Sequence, residues 1–500
     1  MHEMQQLSTG RRWGSLGVLV AAVLLLAIDS TVLYLAVPSL TQELNATATQ
    51  VLWIGDIYSL VLAGLLVTMG NLADRIGRKR LLLIGATAFG GASALAAFST
   101  SPEMLIAARL LLGVAGATIM PSTLSLIRNI FTDATERTRA VAVWSAAAAS
   151  GIALGPLVGG ALLENFWWGS VFLINVPIIV VLLIAGMLLL PESRNPSPGP
   201  FDLPSSLLSM IAVLPLVYFI KKAVGGDFDT VVWVALAVAI MGTVLFIRRQ
   251  RSSKAPMIDV DLFRIPEFSG AVLINFVTIF ALSGLLFFFS QYLQLARGMS
   301  PLQAGLAQLP VAAAAMLVVF FVARALHVLG RGPAIAFALG LGAVGLVLMA
   351  LAESSDNYLW IALALVPVGL GIGLAETLSV DAVVSSVKPT KAGAAASISE
   401  TAYEFGVALG IAVLGSIMSA LYRANLNLPA DLPESIRETA QDSLAGAAAV
   451  LDPATLEMAQ HAFVSGMETT TMIAAAFMAA AAIIAWRLIP ATRTPAHVEH

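Results

Sequence analysis

The chain has 500 residues, of which 58% are hydrophobic and only 11% are charged. Average soluble domains carry about 25% charged residues, so this chain has too few charges to cover a surface that faces water. A large soluble catalytic domain is therefore excluded. A membrane-spanning helix uses about 20 residues, and the hydrophobic fraction has room for roughly fourteen of them. The composition predicts an all-α polytopic membrane protein.

Net charge and cysteine content exclude further classes of protein. The formal net charge is −3 and no long basic run is present, so nothing indicates nucleic-acid binding. Cysteine is absent, which excludes disulfides, thiolate metal sites and a cysteine nucleophile. No metal site is visible among the five His residues. We therefore expect neither a metal nor a cofactor.

A hydropathy window of about 19 residues predicts fourteen apolar spans in chain order. Spans 1 to 6 cover residues 16–37, 51–72, 81–99, 104–127, 140–163 and 168–190. Spans 7 and 8 cover residues 205–220 and 231–247. Spans 9 to 14 cover residues 268–291, 303–326, 334–352, 358–380, 396–421 and 470–489. Other spans follow the first one, so we expect it to be an uncleaved anchor and not a signal peptide.

An even number of spans places both termini on one side of the membrane, and the basic residues indicate which side. With the termini inside, most of the 27 basic residues fall in inner segments. The outer segments then hold Lys221, Lys222, Arg297, Arg423 and Arg437, and Arg109 is the one basic residue within a span. The positive-inside rule therefore predicts cytoplasmic termini.

An internal repeat divides the chain. Residues 151–160 (GIALGPLVGG) match residues 406–415 (GVALGIAVLG) in six of ten places, and Gly77-Arg78 has a degenerate counterpart in Gly330-Arg331. The offset pairs span 1 with span 9. It predicts an N-terminal six-helix bundle in residues 1–195, two inserted helices in 196–265 and a C-terminal six-helix bundle in 266–500. Such repeats place a substrate path between the bundles, near the bilayer midplane.

The outer loop at residues 422–469 is unusually long and acidic. Asp452 followed by Pro453 is a good helix start, and Ile436, Ala440 and Leu444 form an apolar stripe. We expect a short helical hairpin over the outer face of the membrane. A solvated spacer and a functional lid are both open alternatives for its role.

Six acidic residues lie within or at the edge of the apolar spans. A charge at the centre of the bilayer costs about 2.5–3.5 kcal/mol, and the predicted spans supply one base, Arg109, against all six. A bound proton or a cationic substrate can neutralise a buried carboxylate. The imbalance predicts proton-coupled exchange of cations. The six residues are Asp29, Asp56, Glu376, Asp381, Glu400 and Glu404.

Asp29 lies well inside span 1. Proton or cation handling is one interpretation, and an ion pair with Arg109 or a hydrogen bond that caps a polar turn is the other. Glu400 and Glu404 are four residues apart on one helical face, with Tyr403 between them in sequence. Two carboxylates so placed cannot both ionise cheaply in a dry site, so we expect one to hold a proton until a cation arrives.

The other acids have less specific surroundings. Asp56 follows Trp53 at the outer end of span 2, where a functional acid and an interfacial acid in an aromatic belt are equally open. Glu376 and Asp381 approach the cytoplasmic end of span 12, where they either line a cavity or face water at its mouth. Aromatic rings can hold lipophilic cations, although packing and lipid contact are commoner roles. The aromatic candidates are Trp53, Tyr58, Trp144, Phe276, Phe280, Phe287, Phe288, Phe289 and Tyr403.

Sequence motifs on successive spans resemble those of one family. The segment GNLADRIGRKRLLL at 70–83 resembles the signature of the major facilitator superfamily, in which charges at helix ends lock one conformation. GIALGPLVGG resembles the span-5 motif of the antiporters in that superfamily. RLLLGVAGA from Arg109, DSTVLYLAVP from Asp29 and SETAYEFG at 399–406 resemble the fourteen-helix drug:proton antiporters. The matching residues are Gly70, Asp74, Arg75, Gly77, Arg78 and Lys79 in the first motif and Gly151, Gly155, Pro156, Gly159 and Gly160 in the second.

The resemblance implies a 6+2+6 arrangement of spans in a bacterial inner membrane. It implies an exporter and not an enzyme, which exchanges protons for lipophilic cations such as quaternary ammonium biocides, dyes and fluoroquinolones. Asp29, Glu400 and Glu404 would bind protons and cationic drugs, and Arg109 would take part in proton transfer. The expected partners are small molecules, protons and membrane lipids, with the protein monomeric. Export of a physiological metabolite, lipid or peptide is one alternative, and proton-coupled uptake is another.

Two departures from the family pattern carry predictions. Some relatives that export divalent cations have an extra acid in span 10, where this chain has Ala315. We therefore expect a preference for monovalent cations or zwitterions. The second-half loop at Gly330-Arg331 lacks the counterpart of Asp74, which predicts a gating charge network on one side only.

Overall fold

The computed structural model describes residues 8–194, 202–224, 226, 228–253, 256, 258–355, 357–388 and 391–491. All regular structure in this part of the chain is helical, and fourteen helices within it are long and apolar enough to cross a membrane. The predicted all-α fold with fourteen spans is therefore confirmed. The predicted boundary at 195/196 and the chain ends at 1–7 and 492–500 lie outside the described residues.

The spans keep their predicted order. Spans 1 to 7 are Thr9–Leu44, Ala48–Ile76, Arg78–Ala97, Pro102–Ile130, Thr135–Asn165, Ser170–Leu189 and Leu203–Val224. Spans 8 to 14 are Thr230–Ser252, Pro266–Ala296, Pro301–Phe320, Arg331–Glu353, Tyr358–Ser385, Ala394–Asn425 and Pro453–Leu488. Span 1 begins and span 14 ends at one face of the membrane, which we call the terminal face. The opposite face is called the hairpin face.

Local sequence signals set where several of these helices begin and end. Thr47 and Gln50 form a reciprocal capping box at the start of span 2, and Ser300 and Gln303 form another at span 10. Each box satisfies two backbone N–H groups that the first turn leaves without partners. Asp452 caps span 14 by accepting the N–H groups of Ala454 and Thr455. The helix start predicted at Asp452-Pro453 is therefore confirmed.

Span 14 is longer than predicted. The hydropathy window starts it at residue 470, but the helix runs without a break from Pro453 to Leu488, a length of 36 residues. At 1.5 Å per residue, such a helix is about 54 Å long, well beyond the roughly 30 Å hydrocarbon core. Its first turns therefore extend past the hairpin face. The outer hairpin is correspondingly shorter than residues 422–469 and consists of the helices Glu434–Asp442 and Leu444–Val450.

Spans 1–6 share one buried apolar core and spans 9–14 share another; we call these groups the N-bundle and the C-bundle. Within the N-bundle, the glycines of span 5 allow close approach to span 1. A Cβ atom on Gly151 would lie 2.5 Å from Cβ of Ala27, and one on Gly159 would lie 2.9 Å from Cγ2 of Val32. Side chains larger than glycine would force these two helices apart.

The two bundles meet in the half of the membrane nearest the hairpin face. Gly55 of span 2 lies against Phe287 of span 9 and Ile411 of span 13. Gly160 of span 5 lies against the backbone of Pro301 in span 10. These contacts lie closer to the hairpin face than Glu400 and Glu404 do, and they separate the buried acids from that face.

Spans 7 and 8 pack against each other, and span 7 also contacts span 2 of the N-bundle and span 13 of the C-bundle. Leu60 of span 2, Val217 of span 7 and Ala408 of span 13 form one small buried cluster. Nearer the terminal face, the hydroxyls of Thr68 and Ser206 contact each other. The inserted pair therefore lies beside the seam between the bundles.

The outer hairpin is fastened to the N-bundle through Asp442. Its Oδ2 accepts the N–H of Ala48, in the first turn of span 2, at 2.7 Å, and Ala440 and Leu444 are buried beneath the hairpin. Burial raises the pKa of the Asp442 carboxyl above its ordinary value, and the bond from Ala48 opposes that rise. The docked hairpin thus holds the proton of Asp442 more tightly than a free hairpin would, so docking weakens as the pH rises through the raised pKa.

We expect Asp442→Asn to keep the hairpin docked and to remove this pH dependence, because the amide oxygen still accepts the Ala48 N–H and carries no charge. Asp442→Ala should loosen docking by about 1–3 kcal/mol, because the backbone donor loses its partner. Hydrogen–deuterium exchange over residues 434–450 measures both effects. Equal protection in the two variants would contradict the assignment of Asp442 as the fastening residue.

Candidate functional site

Asp29 and Arg109 form an ion pair at the centre of the N-bundle. A guanidinium nitrogen of Arg109 lies 3.4 Å from Oδ2 of Asp29, and the two side chains are 1% and 0% exposed. Asn175 of span 6 donates to the other carboxylate oxygen at 2.6 Å and also contacts Ser93 of span 3. The ion pair with Arg109, which the sequence leaves open, is present, whereas the hydrogen bond comes from Asn175 and does not cap a polar turn. These contacts are compatible with proton handling, because protonation of Asp29 would weaken both the ion pair and the hydrogen bond from Asn175.

Arg109 is held by span 2 as well. Its Nε donates to the backbone oxygen of Ile54 at 3.2 Å, and its guanidinium carbon lies 4.7 Å from the centre of the Tyr58 ring. Arginine stays charged at all accessible pH values, so these contacts fix a permanent positive charge beside Asp29. Protonation of Asp29 would remove its ion pair with Arg109, so the guanidinium group could then pair with other acids.

The C-bundle contributes acids from two spans to the same depth. Glu376 of span 12 and Glu400 of span 13 are close enough for their charges to interact, and Glu404 lies one turn further along span 13. The hydroxyl of Tyr403 is within electrostatic range of all three carboxylates. Among the described residues, none of the three forms an ion pair with a basic side chain. Glu376, Glu400 and Glu404 therefore form an acid cluster, and we use that name below.

The acid cluster faces the Asp29–Arg109 pair across the seam between the bundles. Glu404 interacts electrostatically with Arg109 and makes a side-chain hydrogen bond with Ser59 of span 2. It is also within electrostatic range of Tyr58 and of Tyr34. The structure thus brings Asp29, Arg109, Tyr58, Tyr403 and the acid cluster together at the interface. This arrangement can bind and exchange a cation and protons.

Asp56, for which the sequence leaves a functional and an interfacial acid equally open, lies inside the protein. It is fully buried, and Nζ of Lys221 lies 2.7 Å from its Oδ2, so the interpretation as an interfacial acid is wrong. The prediction that Lys221 lies in an outer loop is also wrong, because span 7 continues to Val224 and buries it. The hydropathy window ended the span at two lysines, whereas pairing with Asp56 neutralises one of them within the membrane. Arg109 is consequently not the one intramembrane base.

The motif at residues 70–80 forms hydrogen bonds with the end of span 6 at the terminal face. Arg78 pairs with Asp74 at 2.8 Å and donates to the side chain and backbone of Ser193. Nζ of Lys79 donates to the carbonyl oxygens of Met187 and Leu190. Gly70 lies against Pro121 of span 4. The motif therefore joins span 2 to span 3 and span 3 to the end of span 6, and its Gly70 packs against span 4.

Gly77 is the position in this motif least able to accept a side chain. Its φ is +111°, and a Cβ atom would lie 2.6 Å from Oε1 of Glu192. We expect Gly77→Ala to destabilise the protein by about 1–3 kcal/mol, seen as a lower unfolding temperature of the purified protein. Gly91→Ala in span 3 is the matched control, because no atom lies within 4 Å of its Cβ position. Equal unfolding temperatures of the two variants would contradict the strain assigned to Gly77.

The prediction of a one-sided charge network is wrong. Arg331, the counterpart of Arg78, pairs with Glu267 at 3.0 Å and with Asp381 at 3.1 Å. Gly330 has a φ of +79°, in the same left-handed region as Gly77. The acids come from spans 9 and 12, so a search within the loop motif misses them. Asp381 therefore lies in this network at the terminal face, apart from the acid cluster.

Trp144 also lies apart from the acid cluster. Its ring nitrogen donates to the hydroxyl of Thr123 at 3.1 Å, which joins span 5 to span 4 inside the N-bundle. Trp53 lies near the hairpin face beside Lys221.

Two residues of the site were not predicted from the sequence. Asn175 is a lone amide in an apolar run, and Lys221 is a lysine at a predicted span end; either signal was available, but neither is specific.

The described residues contain fourteen membrane-length helices, of which twelve form two bundles that face each other across buried acids and two are inserted beside them. This arrangement defines a multi-pass membrane transporter. The chain belongs to the Major Facilitator Superfamily, whose family profile matches residues 19–411. The family consists of transporters, so the fold and the family both point to transport.

Relatives of known name cover nearly the whole chain. The multidrug efflux pump LfrA of Mycolicibacterium smegmatis is 47% identical over 481 residues, which is 95% of each chain. The methyl viologen resistance protein SmvA of Salmonella typhimurium is 37% identical over 464 residues, or 91% of this chain and 93% of that one. Among solved structures, an inward-facing bacterial homologue of the human lysosomal transporter Spinster matches with a TM-score of 0.65 at 17% identity, covering 98% of this chain and 100% of that one. That last likeness shows the fold alone.

Proposed function

We propose that this protein exports lipophilic cations from the cell in exchange for protons. The observation that carries the proposal is the acid cluster, whose three carboxyl groups face Asp29 and Arg109 across the bundle interface. Glu404 is buried and Glu376 and Glu400 are half-buried, and none of the three pairs with a basic side chain among the described residues. The names of LfrA and SmvA support export of drugs or cationic compounds. Quaternary ammonium biocides, cationic dyes and fluoroquinolones are the expected substrates.

Protons and cations compete for the same carboxyl groups in the cycle we propose. A cation entering from the terminal face displaces protons from Glu400, Glu404 or Asp29, and protons arriving from the other side later displace the cation. A membrane potential of 100 mV supplies about 2.3 kcal/mol for each charge moved. This energy is enough to drive accumulation against a gradient of the cation.

The proposal includes the division and orientation of the chain. Residues 1–195 and 266–500 form the two moving bundles, residues 196–265 form the inserted pair, and the acids lie at their seam. The positive-inside pattern supports cytoplasmic termini, so we assign the terminal face to the cytoplasm, and the bacterial origin of the relatives supports a bacterial inner membrane. The bundle contacts at Gly55 and Gly160 lie nearer the hairpin face than Glu400 and Glu404 do, which supports access to these acids from the terminal face. A monomer in contact with lipid is the expected functional unit.

The number of charges on the substrate should affect how well it is exported. Ala315 stands where some relatives carry an additional acid, so we expect better protection against monovalent than against divalent cations. Growth assays with matched mono- and bis-quaternary ammonium biocides, in cells with and without the gene, measure this preference. Equal protection against the two classes would show that the prediction is wrong.

Substrate-induced proton release from the purified protein tests the proposed function. In weakly buffered detergent solution, addition of a monovalent lipophilic cation should release protons, and addition of an uncharged sugar should not. In proteoliposomes, substrate and protons should move in opposite directions. Movement in the same direction would support uptake instead. Export of a physiological compound would be revealed by its accumulation in cells that lack the protein.

A further inference from the structure

The Asp56–Lys221 pair has the composition of a site for an ammonium ion. Nζ of Lys221 lies 2.7 Å from Oδ2 of Asp56 and 3.6 Å from the centre of the Trp53 ring. A carboxylate and the face of a tryptophan are the two groups that best attract an ammonium ion in a dry environment. The ion held here belongs to the chain itself.

The pair is poorly completed as a structural ion pair. The Asp56 and Lys221 side chains are 0% and 1% exposed, yet Oδ1 of Asp56 has no hydrogen-bond partner among the described residues. A buried ion pair recovers its desolvation cost only when further hydrogen bonds satisfy its remaining atoms. The Asp56–Lys221 pair therefore contributes less to the folding free energy than an equally buried ion pair with all its polar atoms hydrogen-bonded.

The location of the pair connects it to the transport site. Asp56 lies three residues before Ser59, which bonds to Glu404 of the acid cluster. Lys221 comes from span 7, and Val217, one turn earlier, packs against Leu60 of span 2 and Ala408 of span 13. Lys221 lies three residues before the end of span 7 at Val224, so its separation from Asp56 would require movement of this end of the inserted helix.

We propose that Trp53 and Asp56 form a subsite for the transported cation, and that Lys221 is a tethered ammonium group that occupies this subsite until the cation displaces it. Lys221 is thus a specificity-determining residue, because a cation must outcompete it to bind. This inference rests on the proposed export of cations and adds a role for the inserted spans. A lipophilic ammonium or phosphonium ion fits the subsite because it can contact the indole face while Asp56 balances its charge.

Chemical labelling of lysines in the unaltered protein tests displacement directly. Purified protein is acetylated with an amine-reactive ester in the absence and presence of tetraphenylphosphonium, at a concentration that equilibrium dialysis shows to be saturating. Labelling of Lys221 should be slow in the free protein and on the order of tenfold faster with the cation bound. Lys391, which pairs with Asp259 at the exposed surface, is the internal control and should not change.

The two ways to fail are distinguishable. Absence of saturable tetraphenylphosphonium binding by the unaltered protein overturns the proposed function and this inference with it. Saturable binding that leaves Lys221 protected overturns this inference alone.

Substitutions provide a second measurement. Lys221→Met removes the competitor and should tighten tetraphenylphosphonium binding by about tenfold, since a tethered group acts at a high effective concentration. Lys221→Arg keeps a competing cation and should retain the original affinity. The gain should vanish in Asp56→Asn/Lys221→Met, in which the subsite has no charge. If Lys221→Met binds no more tightly than the unaltered protein, or if the gain persists in the double variant, Lys221 does not compete at Asp56.

Discussion

Replacing Asp29 with asparagine is expected to reduce proton-coupled export by at least about 100-fold. Asparagine preserves the size of the side chain but cannot take up a proton, and it leaves Arg109 as an uncompensated charge inside the N-bundle. Removing one partner of a buried ion pair costs about 3–5 kcal/mol of folding stability, and a 100-fold slower transport cycle corresponds to a barrier that is about 2.8 kcal/mol higher. Proton-driven export of a fluorescent cation from proteoliposomes is the measurement.

Two further variants separate proton handling from a structural role for Asp29. Asp29→Asn/Arg109→Gln removes both charges. If the pair has only a structural role, this double variant should recover export; if Asp29 carries the proton, the double variant should stay inactive. Asp261→Asn is the matched control, because Asp261 pairs with Arg264 on the exposed surface. This variant should transport normally. Export by Asp29→Asn at the unaltered rate would remove Asp29 from the coupling mechanism.

The spans and the acids were predictable because each depends on a local property of the sequence. Fourteen apolar runs are visible in a sliding window, and a carboxylate within such a run is conspicuous wherever its partner lies. The pairing of Glu400 with Glu404 follows from helical spacing alone. The closeness of Glu376 to Glu400 does not, since it depends on how span 12 packs against span 13.

The partners of the charged residues were harder to predict because they come from distant segments. Lys221 and Asp56 are brought together by span 7, and the window had ended that span before the lysine. Arg331 receives its acids from two other spans, so the comparison of loop motifs suggested a network on one side only. Asn175 is uncharged, so burying it in the membrane carries no charge penalty that would draw attention to it in the sequence. It nevertheless makes the shortest hydrogen bond to Asp29, at 2.6 Å.

Replacing Glu404 with glutamine is expected to abolish most substrate-induced proton release and to weaken cation binding about 30-fold. Glutamine cannot carry a proton, and loss of one charge facing a bound cation costs about 2 kcal/mol or more. Glu400→Gln should act in the same direction but less strongly, because Glu404 also contacts Ser59 and interacts with Arg109, whereas Glu400 interacts with Glu376. Glu457→Gln, which changes an exposed acid of span 14, is the control for the substitution itself. If Glu404→Gln released as many protons as the unaltered protein on binding a cation, Glu404 would not be where the two compete, and proton exchange would have to occur at Glu400 or Asp29.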